Sequence, residues 1–152
     1  MVVLGRKVGG FEMRVLVVDG DQKEGRAFAA GLATYGLDVA EASNLAEAEE
    51  KMTSVGADIA VFCIGNDPFE GYLLADMFRT HNPEIFLVVA LGSSSHGRET
   101  MLQYAADGWL EKPYRLESAI ETLGAVAGFR DYDNPESGLY QVSRLEPRRI
   151  TG

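Results

Sequence analysis

Residues 57–64, ADIAVFCI, followed by residues 65–71, GNDPFEG, carry the pattern that decides the fold. The first stretch is a short apolar run with β-branched and aromatic side chains. The second is crowded with Gly, Asn, Asp and Pro, the residues that turn a chain. Together they read as a buried strand ending at Cys63, the only cysteine of the chain, ahead of a loop and a new apolar pattern. A strand that is apolar on both faces needs cover on both, which a parallel sheet flanked by helices supplies.

The same alternation repeats on either side. Residues 14–18 (RVLVV), 37–41 (LDVAE), 85–91 (IFLVVAL) and 108–111 (GWLE) read as four more strands. The segments between them have the helical period. In residues 22–35, Phe28, Leu32 and Tyr35 share one face, and Gly36 is placed to end the helix. Asn44, three residues before Glu47, opens a second helix through a capping box. Residues 72–80, 97–106 and 116–127 read as the remaining helices, with Ser93, Ser94 and Ser95 solvating the loop before the fourth and capping it. Five strand–helix units make an α/β protein with a parallel sheet.

At 152 residues the chain has room for one domain, placed over 13–128, with an N-terminal extension over 1–12 and a C-terminal tail or linker over 129–152. The tail has balanced charges and two prolines, and only Leu139-Tyr140-Gln141-Val142 has the composition to pair as an extra strand. The first residues contain no apolar stretch long enough for a signal peptide. No run approaches the roughly 18 apolar residues of a membrane span. A formal charge of −9 disfavours nucleic acid and anionic lipid as partners. One cysteine permits neither an internal disulfide nor a cysteine-based metal cluster. His81 and His96 have no ligand-spaced companions; His81 is placed to cap the end of the third helix. The expectation is a cytoplasmic protein without metal or cofactor.

Arg14-Val-Leu-Val-Val-Asp19, the strand ending at Cys63, and the stretch from Tyr104 through Trp109 to Lys112-Pro113 follow one another at spacings that resemble response-regulator receiver domains. The resemblance covers about residues 13–128 without obvious gaps. It implies a flavodoxin-like (βα)5 doubly wound sheet of strand order 2-1-3-4-5, with its functional crevice beyond the C-terminal strand ends. It also implies a set of functional positions there. Two consecutive acids that hold magnesium, a hard cation needing oxygen ligands, map to Asp19 and Gly20. Asp21 comes one residue too late and leaves the strand in another direction. The phosphoacceptor aspartate maps to Cys63. The switch hydroxyl ending the fourth strand maps to Ala90, which has no donor. The lysine is present as Lys112, before a Pro113 whose peptide is commonly cis in the family. Trp109 stands at the aromatic switch position, with its indole expected to pack toward the space that the small Ala90 leaves.

The site so mapped is degenerate at Gly20, Cys63 and Ala90. Lys112 then reads as a partner of Asp19, tying the fifth strand to the first. Cys63 keeps two readings: a small buried hydrophobe, or a thiol activated by Lys112. With these departures the resemblance implies a non-enzymatic pseudo-receiver, a phosphorylation-independent protein-interaction module. Its partners, a second copy of the chain among them, would dock on the face made by the fourth helix, fifth strand and fifth helix. The alternative is a redox or small-ligand sensor centred on Cys63. A transcription regulator fits less well, because the tail is too short for a helix-turn-helix domain.

Overall fold

The computed structural model of the chain describes residues 7–8, 11–65, 68–92 and 96–128. The tail over 129–152 and Ser93, Ser94 and Ser95 lie outside the described residues. Lys7–Val8 and Phe11–Glu12 pair as a short antiparallel hairpin, an element not anticipated within the N-terminal extension. Five parallel strands follow: β1 Arg14–Val18, β2 Asp38–Ala42, β3 Ile59–Cys63, β4 Phe86–Leu91 and β5 Gly108–Glu111. Their order in the sheet is β2-β1-β3-β4-β5, the 2-1-3-4-5 order of a flavodoxin-like fold. The helices are α1 Gln22–Thr34, α2 Leu45–Ser54, α3 Pro68–His81, α4 Gly97–Gln103 and α5 Leu116–Ala127.

Strand alternation divides the interior in two. Val15, Val17, Ile59, Val61, Val88 and Ala90 face one side, where Phe28 and Leu32 of α1 and Ile120 and Leu123 of α5 cover them. Leu16, Val18, Ala60, Phe62, Leu87 and Val89 face the other, under Met52 of α2 and Leu74 and Phe78 of α3. All six residues of β4 are buried, as its uninterrupted apolar sequence requires of a strand covered on both sides. No helix among the described residues is long and apolar enough to cross a membrane.

The helix ends differ from the expectation in four places. The second helix is capped by Asn44, whose side chain accepts from the Glu47 backbone N–H at 2.8 Å, but Glu47 reaches back to the backbone N–H of Ser43, one residue short of the cap. That bond holds the Glu47 carboxyl below its usual range. The third helix starts at Pro68, four residues before the expected Tyr72, because proline suits the first helical turn as well as it suits a loop. The fourth stops at Gln103 instead of Ala106: Ala105 takes a left-handed φ of 53°, and Tyr104 turns inward to 3% exposure. Its N-cap is His96, without a side-chain capping bond, and not a serine.

Candidate functional site

Beyond the C-terminal ends of β1 and β3 lies a pocket of ≈250 Å³ whose lining includes Asp19, Gly20, Asp21, Cys63, Glu70 and Lys112. The sheet order produces it: β1 and β3 are neighbours, so Asp19 and Cys63 leave the sheet side by side, and the loop after β5 carries Lys112 across to them. Of the positions mapped from sequence, Asp19, Gly20, Cys63 and Lys112 therefore share one pocket. Ala90 does not line it. It pairs in register with Cys63 and is fully buried in the α1/α5 side of the core.

Asp19 is the buried centre, with 2% exposure. Its Oδ1 accepts the Asp21 backbone N–H at 2.9 Å. Its Oδ2 accepts from the Lys112 ammonium and from the Tyr114 hydroxyl, each at 2.9 Å. Lys112 also meets Glu24 Oε1 at 2.7 Å and Cys63 Sγ at 3.5 Å. An ammonium has three N–H donors, and these three acceptors use them all. Burial alone would lower the Lys112 pKa; the hydrogen bonds to Glu24 and Asp19 outweigh it and the net shift is upward. Burial, and behind it the Asp19 charge, raise the Tyr114 hydroxyl far above its ordinary value.

The Cys63 thiol is half-buried and shifted upward by burial first and by Asp19 second, against a smaller downward pull from Lys112. This environment favours the protonated thiol. An attacking thiolate needs the opposite environment. Asp21 is the N-cap of α1, its carboxylate accepting from the Glu24 N–H at 3.1 Å. A Cβ added at Gly20 would meet no atom within 4 Å, so a side chain can start there, but the sequence encodes no second acid. Among the described residues no group of three or more acids, histidines or cysteines is arranged to hold a metal ion.

Two members of this network had no signal in the sequence. Glu24 belongs to the polar face of α1, and Tyr114 follows the Lys-Pro pair without a periodic pattern. The Tyr114 ring stacks on Phe28, with centroids 3.9 Å apart and planes within 2°, so α1 fixes the ring whose hydroxyl fixes Asp19. The Lys112–Pro113 peptide is cis.

Trp109 is placed differently from the expectation. Its neighbours in sequence, Gly108 and Leu110, are buried, whereas Trp109 itself is 37% exposed. The indole lies against the start of α4: a Cβ added at Gly97 would overlap Trp109 Nε1. Ala90 pairs with Leu110 in register and faces the α1/α5 side. Alternation thus sends the indole to the opposite face from the alanine.

No family model matches the sequence, and no curated protein matches it. Solved structures do. A CheY-like response regulator receiver domain protein from Methanospirillum hungatei JF-1 shares 24% identity at a TM-score of 0.62, over 72% of this chain and 88% of that one. A two-component response regulator from Clostridium difficile shares 22% at 0.66, over 77% and 97%. A response regulator protein from Burkholderia pseudomallei, solved with a phosphorylated aspartic acid, calcium ion and citrate, shares 22% at 0.63, over 89% and 73%. With its 2-1-3-4-5 sheet and five flanking helices, the chain has the flavodoxin-like α/β fold of CheY-like receiver domains.

Proposed function

We propose that this chain is a phosphorylation-independent receiver-like module, non-enzymatic, which signals through protein contacts. The observation that carries this reading is the closed network around Lys112. All three ammonium protons are engaged by Asp19, Glu24 and Cys63, and both Asp19 oxygens already accept hydrogen bonds. A phosphoryl acceptor needs a carboxylate where Cys63 stands, and a bound magnesium needs more charged oxygens than Asp19 supplies with Gly20 and Cys63 beside it. A solved neighbour carries a phosphorylated aspartic acid; the resemblance puts that chemistry at Cys63, and a thiol forms no acyl phosphate.

Partner binding falls to the face of α4, β5 and α5. A groove of ≈340 Å³ runs there between β5 and α5, lined by Trp109, Leu110, Tyr114, Arg115 and Ala119 among others. Beside the groove, the exposed Trp109 indole resting on α4 is the kind of rigid, amphipathic anchor that dominates binding energy at interfaces, and a second copy of the chain is one candidate partner. The thiol-sensor alternative loses ground because the surroundings of Cys63 favour the protonated thiol. Titration with beryllofluoride and magnesium, followed by Trp109 fluorescence, tests the proposal. No saturable change is expected; saturation at micromolar beryllofluoride would overturn it.

A further inference from the structure

A second groove, of ≈390 Å³, lies between α3 and α4, and its walls include Tyr72, Leu73, Asp76, Arg79 and Gln103. Tyr72 and Leu73 are large side chains left 43% and 40% exposed. They stand with Asp76 at helical spacing on one stripe of α3. The tyrosine is held in place: its hydroxyl accepts the Gln103 side-chain N–H at 2.8 Å, and its ring meets the buried Tyr104 with centroids 4.6 Å apart. Gly71 makes that approach possible, since a Cβ there would lie 2.8 Å from the Tyr104 ring. An aromatic wall already fixed before binding loses little entropy when a partner arrives.

The charges around the groove are unequal in their engagement. The Arg79 guanidinium donates to the Tyr104 and Ala105 carbonyls at 3.3 and 2.6 Å, at the C-terminal end of α4, where a cation offsets the exposed carbonyls. The Asp76 carboxylate has no hydrogen-bond or ion-pair partner among the described residues. The groove therefore presents two large exposed side chains and, one helical turn along, a carboxylate whose hydrogen-bonding capacity is unused while the neighbouring Arg79 is directed to carbonyls, on a chain whose formal charge is −9.

We propose that this groove is a second docking surface, built for a basic amphipathic helix of a partner protein. Apolar side chains of that helix sit against Tyr72 and Leu73, and a Lys or Arg one turn away meets Asp76. A second copy of this chain fits less well, since it brings the same carboxylate and the same negative charge. The inference rests on reading the chain as a protein-interaction module, and it adds a site on the far side of α4 from the β5–α5 groove.

The test titrates the isotope-labelled full chain with an amphipathic helical peptide of leucine and lysine, about 14 residues long so that helix can form on binding. The expected result is saturable amide shifts centred on Tyr72, Leu73, Asp76 and Gln103. Asp76→Lys is expected to weaken binding at least about tenfold, while Glu121→Lys, the same charge change on α5, leaves it unaltered. Shifts centred on Trp109, equal binding by a scrambled peptide, equal loss in both variants, or self-association through the groove would each overturn the proposal. Failure here is separable from failure of the phosphorylation-independent reading, because the beryllofluoride titration of the same protein does not involve this groove.

Discussion

Replacing Lys112 by Met keeps the apolar stem and removes the one cation among Asp19, Glu24 and Cys63. The cost follows from the geometry. Asp19 is 2% exposed and the Lys112 side chain 16%, with 2.9 Å between the charged atoms. Removing one partner of a fully buried pair costs roughly 3–5 kcal/mol. Here the penalty is smaller. Asp19 keeps the Tyr114 hydroxyl and the Asp21 N–H, and Glu24, at 39% exposure, can turn to water. We expect Lys112→Met to cost about 2–3 kcal/mol, a fall in melting temperature of about 10 °C for a domain of this size. Urea denaturation at neutral pH measures it. In an Asp19→Asn background the same substitution is expected to cost less than about 1 kcal/mol, because no buried charge is then stranded. A single-variant cost below about 1 kcal/mol, or an equal cost in both backgrounds, would refute the idea that Lys112 neutralises a buried Asp19.

Three further outcomes follow from the same contacts. Stability is expected to fall above about pH 9: Cys63 and Tyr114 both have folded pKa values raised by burial, so the unfolded chain releases those protons first and rising pH favours unfolding. Tyr114→Phe and Cys63→Ala, compared with wild type in pH-dependent thermal melts, should flatten that decline. Gly97→Ala places a methyl where Trp109 Nε1 now lies, so the indole is expected to swing outward and its emission to shift to the red; an unchanged spectrum would mean that it does not rest on α4. Cys63→Asp is expected to fold with reduced stability at neutral pH and still take no phosphoryl group from acetyl phosphate, because Gly20 and Ala90 are unaltered. Efficient phosphorylation of that variant, read by intact mass, would mean that the remaining site is close to working order.

The sheet was legible because its three central strands, β1, β3 and β4, are near-continuous apolar runs buried on both faces, and because turn residues and helical periods separate them from the two shorter edge strands. The residues at the strand ends were legible for the same reason: once Cys63 and Lys112 are set by strand boundaries, the parallel sheet brings them together. What escaped was the part of the site made by single polar side chains from other elements. Glu24 and Tyr114 reach the pocket across 88 and more residues of sequence separation, and a lone Glu on a polar helix face looks like any solvated residue. The position of Trp109 was misjudged because alternation along a four-residue edge strand, with a glycine as its first residue, gives little sequence evidence of which face an aromatic takes. The early start of α3 and the early end of α4 turn on proline's tolerance of a first helical turn and on the inward Tyr104, which tertiary packing decides.

The most direct test of the account is intact-mass spectrometry of the full chain after incubation with acetyl phosphate and magnesium. The account predicts an unmodified mass at every time point, because Lys112 and Asp19 are occupied within the protein and Cys63 offers no carboxylate. A stable adduct of one phosphoryl group, mapped to the pocket between β1 and β3, would contradict it.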